Sequence, residues 1–313
     1  MSLSYEIRQS LKKFILSSYF LKDKYAVEDN IIIFSEARGG STWLMECLYK
    51  IPDMIINWEP LHSKKGVVPE SWGNRPYVEN EEESDEYFKI LKEIFCLQRR
   101  NKWTLGRNEF LKFARPKFII LKFVRANLLL PFILDNFHLR KRVIFLLRHP
   151  IDTCISQLKA FDYDKKDLLS SYLDNEKKKF SDHLPFLKLL NSNLEVKIAI
   201  WCINNIKTIN LLPRYKNKII FVYYKDLVLN PNEEFHKILE KLEIKDSAKV
   251  TSLIDFTKAS KTSLNSKKID PERQIWKNIN SLSDNEKIAI QKVFDYFDFK
   301  LYSAFTPDEK FRF

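Results

Sequence analysis

Five consecutive residues, Arg38-Gly39-Gly40-Ser41-Thr42, have the types that an anion site needs. Arginine carries a permanent charge on a planar fork that matches phosphate or sulfate oxygens. The two adjacent glycines, of five in the whole chain, let backbone N–H groups approach a ligand closely. Ser41 and Thr42 add hydroxyls. Ile31 to Phe34, just upstream, is a short apolar, β-branched run expected of a strand buried on both faces. From Ser41 onward the spacing of Leu44, Cys47 and Leu48 is helical. A helix N-terminus reached through a glycine turn aims free N–H groups and the helix dipole at one spot. This is not a Walker loop, G-x-x-x-x-G-K-[ST], because Ser41 follows Gly40 where the lysine belongs. The plain alternative is a tight turn that binds nothing.

A second junction repeats the chemistry. Val143 to Leu147 reads as a strand, and Arg148-His149-Pro150-Ile151-Asp152-Thr153-Cys154-Ile155-Ser156 follows it. Arg148 falls at the carboxyl end of that strand, where open α/β sheets bind ligands. Pro150 suits a first helical position, and Asp152 and Ser156 share one helix face. Arg148 and the Ser156 hydroxyl could grip one phosphate. Alternatively, Arg148 pairs with Asp152 and Ser156 is inert. Two such junctions in one sheet suit a nucleotide with phosphates at both ends of its ribose.

The elements that must position these residues alternate along the chain. Further strands are expected over Met54 to Trp58, Lys117 to Val124 and Lys218 to Tyr224. Helical stretches are expected over Tyr87 to Phe95, Leu128 to Phe137, Leu194 to Leu212 and, behind a Ser283/Glu286 capping box, Asp284 to Phe297. The acidic cluster Glu81 to Glu86 reads as solvated surface leading into a helix, and Asn230-Pro231 opens another helix. Strand–helix alternation predicts a mostly parallel sheet with helices on both faces. Residues 63 to 80 hold Gly66, Pro69, Gly73 and Pro76 and read as a loop over one end of that sheet. No repeat or linker divides the chain, so one domain over 1–313 is expected. An amphipathic helix is expected within 1–25 and a mobile basic segment within 257–280.

Composition narrows the partners. The 313 residues carry a net charge of +12, which favours anionic ligands. The basic residues are scattered without a nucleic-acid signature. Cys47, Cys96, Cys154 and Cys202 lie far apart in apolar contexts with no C-x-x-C, which points away from metal or redox work and toward a reducing compartment. No apolar run reaches membrane-spanning length. Leu3, Ile7, Leu11, Phe14 and Ile15 recur at helical spacing beside Arg8, Lys12 and Lys13. That helix packs on its own domain or lies on a membrane surface, so a cytoplasmic protein, peripheral to the inner membrane in the second case, is expected.

Taken together, the two junctions resemble those of sulfotransferases that use 3′-phosphoadenosine 5′-phosphosulfate (PAPS), over roughly Asn30 to Tyr302. The resemblance implies a P-loop-NTPase-like fold: a central parallel sheet flanked by helices. It also implies that Arg38-Gly39-Gly40-Ser41-Thr42-Trp43 binds the 5′-phosphosulfate, with Trp43 at the position that stacks on adenine in cytosolic members. Arg148 and Ser156 match the pair that binds the 3′-phosphate. Asp226-Leu227 followed by Asn230-Pro231 is similar to a late strand-to-helix turn of the family. Such an enzyme needs a hydroxyl-bearing acceptor and no metal.

Arg38 and Glu59-Pro60-Leu61-His62 resemble the carbohydrate-directed branch, which implies a sugar or glycolipid acceptor. Enzymes acting on phenols and steroids have a histidine base two residues after a strand lysine. The matching lysine here is Lys122, and Val124 stands where the histidine would be. Glu59 is therefore the first candidate for the base and His62 the second, with Arg38 and Lys122 stabilising charge on the sulfuryl and bridging oxygens. The family's C-terminal basic loop has no clean match; Arg273, Trp276 and Lys277 are the nearest residues, unless Trp276 only anchors that segment to the core. Two other readings stay open at this point: a nucleotide kinase of related fold, and a nucleotide-binding module without catalysis.

Overall fold

The computed structural model describes residues 25–313 except 79, 110, 111, 113–116, 176–180 and 259–269. The expected N-terminal helix within 1–25 and residues 259–269 of the basic segment lie outside the described residues.

Among the described residues five strands form one parallel sheet: β1 (Asn30–Ser35), β2 (Met54–Trp58), β3 (Phe118–Phe123), β4 (Val143–Leu147) and β5 (Ile219–Tyr223). Their spatial order is β2-β3-β1-β4-β5. After β1 the chain first builds one side of the sheet, then crosses to build the other. The switch falls between β1 and β4, which pair from Ile33↔Ile144 to Ser35↔Leu146. A switch point opens a crevice at the strands' carboxyl ends, and Arg38 and Arg148 follow these two strands.

The helices, in chain order, are α1 (Ser41–Leu48), α2 (Glu81–Phe95), α3 (Lys102–Leu105), α4 (Leu130–Asn136), α5 (Pro150–Phe161), α6 (Lys165–Asn175), α7 (Leu184–Leu189) and α8 (Asn193–Leu211). Then come α9 (Tyr224–Leu229), α10 (Pro231–Lys241), α11 (Ser247–Ser252), α12 (Pro271–Trp276) and α13 (Asp284–Tyr296). Successive strand side chains point to opposite faces, and this divides the core. Ile31 and Ile33 pack with α1, α10 and α11. Ile32 and Phe34 pack with α2, α4, α5, α8 and α13. Both faces are covered, so all six residues of β1 are buried.

The expected strands agree with the structure to within a residue at each end. The acidic cluster differs: Glu81 begins α2 itself, because Asn80 Oδ1 accepts the Glu83 N–H and the acidic side chains meet the positive end of the helix dipole. Tyr224 is the first residue of a helix rather than the last of a strand. The Ser283/Glu286 capping box is present, and Pro150 opens α5 as expected. All four cysteines are free and buried. Among the described residues no helix is long and apolar enough to cross a membrane.

Candidate active site

The turn between β1 and α1 is bent beyond ordinary backbone limits. Arg38 has φ 66° and Gly40 φ 97°. A Cβ on Gly40 would lie 2.5 Å from the Tyr224 ring, and one on Gly39 would lie 2.4 Å from Ser35 Oγ. Both glycines are therefore required by close approach, as their adjacency suggested. The turn's carbonyls are held from outside. Gln157 Nε2 of α5 donates to Ala37 O at 2.7 Å, and an Arg148 guanidinium nitrogen donates to Arg38 O at 3.0 Å. With those carbonyls occupied, the first N–H groups of α1, at Ser41 and Thr42, remain without intrahelical acceptors.

The two junctions meet in space. Arg38 Nε donates to Ser156 Oγ at 3.1 Å, across 118 residues of sequence. Arg148 lies over the Tyr224 ring with Cζ 4.5 Å from its centroid. Its Nε is buried without a hydrogen bond; the nearest carboxylate oxygen, on Asp152, is 3.9 Å away. Asp152 also accepts from Asn278 Nδ2 at 2.6 Å. Arg148 thus keeps a long ion pair to Asp152, and the Ser156 hydroxyl accepts from Arg38. Burial, then the neighbouring Arg148, lowers the Arg38 pKa. Two guanidinium groups so close together favour an anion between them. His149 shapes this junction, accepting the Ile151 N–H on Nδ1 at 3.2 Å to cap α5.

Glu59 follows β2 with φ 39°, a strained geometry for a residue with a Cβ and one that concentrates at functional positions. Its carboxylate bonds the Lys122 ammonium and receives Arg125 at 3.3 Å. Burial alone would raise the Glu59 pKa, but Lys122 and Arg125 outweigh it and hold the carboxyl below its usual range. Lys122 pairs across the ladder with both Trp58 and Ile33. Its Nζ lies 3.8 Å from the Trp58 ring centroid. Burial, opposed by Glu59, pushes its pKa down to about 8. His62 is half-buried and its Nδ1 faces the backbone N–H groups of Lys64 and Lys65 at 3.2 and 3.4 Å. That arrangement puts the proton of a neutral ring on Nε2, so the ring's other edge donates. Burial, followed by Arg125, lowers its pKa.

Other expected residues are more loosely tied to this centre. Trp43 is half-buried on α1 and packs on Phe256, ring centroids 5.9 Å apart. Arg273, Trp276 and Lys277 are exposed on and just after α12. Trp276 does not anchor that segment; buried Ile275 does, with Gln274 donating to the Tyr224 hydroxyl at 2.9 Å. The structure adds Glu36, Arg75, Arg125, Asn127, Asn205, Gln157 and Tyr224, which sequence reading passed over. Glu36 inside the turn, Arg125 just after Lys122, Gln157 next to Ser156 and Tyr224 beside Asp226-Leu227 lie near motifs, whereas Arg75, Asn127 and Asn205 have no such signal. Among the described residues no group of three or more His, Cys, Asp or Glu is placed to hold a metal.

A parallel sheet with two cationic strand-to-helix turns at its switch point defines a single-sheet α/β protein. The sequence profile of the Sulfotransferase family matches residues 30–248, and the chain belongs to that family. No curated protein matches it. Among solved structures it is similar to the sulfotransferase domain of the Synechococcus PCC 7002 olefin synthase, at 18% identity and TM-score 0.45, covering 90% of this chain and 98% of that one. A mouse sulfotransferase complexed with PAP is similar at 17% identity and TM-score 0.41, over 88% and 85% of the two chains. A Mycobacterium avium sulfotransferase is similar at 13% identity and TM-score 0.42, over 94% and 80%.

Proposed function

We propose that this protein transfers the sulfuryl group of PAPS to a hydroxyl of a carbohydrate or glycolipid acceptor. The observation that carries the reading is the convergence of the two junctions, with Arg38, Ser156 and Arg148 in one hydrogen-bonded group. The residues fit a nucleotide with phosphates at both ends: Arg148 Nε is buried and lacks a hydrogen bond, and two glycines clear the approach to the α1 N-terminus. Arg38, Ser41, Thr42 and the backbone of the turn would hold the 5′-phosphosulfate, and Arg148 and Ser156 the 3′-phosphate. Trp43, Arg273, Trp276 and Lys277 are proposed to flank the nucleotide.

When bound, PAPS supplies an activated sulfuryl group, whose bond to the bridging phosphate oxygen breaks as the acceptor oxygen bonds to sulfur. Glu59 is ionised at neutral pH and takes the acceptor's proton. Its basicity is low, so transfer comes late, once the hydroxyl has been acidified by bonding to sulfur. Lys122 and Arg125 keep Glu59 charged and oriented, and Lys122 also faces charge developing on the sulfuryl oxygens. His62 has the wrong tautomer for a base at its open nitrogen and serves as a donor. Arg38 and the Glu59-Pro60-Leu61-His62 element support a sugar over a phenol or steroid.

Thermal denaturation tests the cofactor. Adenosine 3′,5′-bisphosphate (PAP) raises the melting temperature by selective binding to the folded state, and the 5′-monophosphate does so far less. Equal shifts would remove the 3′-phosphate assignment. A screen with labelled PAPS against sugars and lipid-linked sugars then tests the acceptor class.

A further inference from the structure

Glu36, the first residue past β1, is buried, with only 6% of its side chain exposed. A buried carboxylate persists only when its oxygens are satisfied, and every partner here comes from outside the strand–turn–helix unit. Arg75 places two guanidinium nitrogens on the two oxygens at 2.6 and 2.7 Å, the strong bidentate form of the pair. Asn205 Nδ2 of α8 donates at 3.0 Å, and Asn127 Nδ2 lies at 3.5 Å while donating to Asn205 Oδ1 at 2.6 Å. Glu36 also shapes the turn through its main chain, because its carbonyl accepts the Gly39 N–H at 2.9 Å. Displacing the Glu36 side chain therefore displaces the glycine turn.

Arg75 belongs to the segment that begins at Glu59. That segment is bonded to itself: Gly66 N–H to His62 O at 2.7 Å, Val67 N–H to Pro60 O at 2.8 Å, and the Ser63 hydroxyl to Asn74 Oδ1. One continuous stretch thus touches the site twice, at Glu59 on Lys122 and Arg125, and at Arg75 on Glu36. We infer that Arg75 is a positioning residue, which through Glu36 couples the loop carrying Glu59 to the turn carrying Arg38. The inference deepens the PAPS reading and rests on it for its functional consequence.

The test compares Glu36→Gln, Arg75→Gln, Arg75→Lys and the Glu36→Gln/Arg75→Gln double variant of the full chain, using PAP as the probe. Arg75→Gln weakens PAP binding about tenfold or more, the scale of a small misplacement transmitted to a binding group. Arg75→Lys recovers only part, since an ammonium cannot form the fork. The double variant is no worse than either single one, because the pair acts as a unit. In ligand-free protein, amide exchange rises together over 36–42 and 60–67 in the single variants. Unchanged PAP affinity in Arg75→Gln, even with a lower melting temperature, would reduce the pair to a structural strut and overturn the inference. Additive losses, or faster exchange in one segment alone, would overturn the coupling. Failure of the unsubstituted protein to bind PAP would instead remove the cofactor reading, and the ligand-free exchange would still decide the coupling.

Discussion

At the scale of single residues, the proposed chemistry rests on the Glu59–Lys122–Arg125 cluster. Glu59→Gln keeps the shape and removes the proposed proton acceptor, so kcat should fall roughly 10²-fold, the usual scale for a lost general base. PAP affinity should be almost unchanged, because the missing interaction belongs to the transition state. His62→Ala should lose less. A near-normal kcat in Glu59→Gln with a dead His62→Ala would reverse the roles. The pH profile has a definite sign. In the proposed mechanism Lys122 acts while charged, and burial has brought its pKa down to about 8. Activity should therefore decline as pH rises through that value, and Lys122→Arg should move the alkaline limb upward. The acid limb should lie below the ordinary carboxylate range, since Glu59 is held low by its cations. An alkaline limb that stays in place in Lys122→Arg would assign it to another group.

At the scale of elements, the turn between β1 and α1 is the least replaceable piece. Gly40 combines a left-handed φ of 97° with contact on Tyr224. Gly40→Ala should lower stability by roughly 1–3 kcal/mol, the range for a strained residue plus local overpacking. It should also disturb Arg148, which lies over the same ring. Denaturant unfolding and PAP titration check both effects, and a variant with unchanged midpoint and affinity would show that the turn relaxes freely. Gly39→Ala meets a side-chain oxygen and a backbone carbonyl, Ser35 Oγ and Glu36 O, and serves as a companion that tests close approach without a positive φ.

At the scale of the molecule, the C-terminal segment packs on α9 and on the side chain of Phe221 in β5. Arg312 forms two hydrogen bonds to Asp226 at 2.9 and 3.0 Å, and Lys225 reaches Asp308 and Glu309 at 2.8 and 3.0 Å. Phe313 stacks on Phe221 of β5 at 4.9 Å. His149, which caps α5, bonds Ser303 O at 3.0 Å and packs against Tyr302 at 4.6 Å. The same segment thus braces the edge strand and the helix that carries Ser156. Removing 305–313 should lower the melting temperature, because the Arg312–Asp226 and Lys225 ion pairs and the Phe221 contact are lost. Melting curves measure this; a shortened chain that melts at the original temperature would show the brace to be dispensable.

What the sequence determined by itself is local. Apolar runs bounded by turn residues announced all five strands, because strand burial and turn chemistry are written in neighbouring residues. Arg38-Gly39-Gly40 and Arg148 were legible for the same reason: each lies in a short strand–turn–helix pattern. The Ser283/Glu286 box and the helix start at Pro150 likewise need only residues within one turn of each other. Tertiary structure decided what depends on separation in space. It brought Ser156 to Arg38, gave Glu59 two cationic partners that set its charge, and aimed the Nδ1 of His62 at two backbone N–H groups. The three side chains around the buried carboxylate of Glu36, those of Arg75, Asn127 and Asn205, come from segments far apart in the chain, and no periodicity links them. Only the strand order β2-β3-β1-β4-β5, with its switch between β1 and β4, puts the two cationic turns at one crevice, because a local pattern states what a residue can hold and the path of the chain decides what it meets.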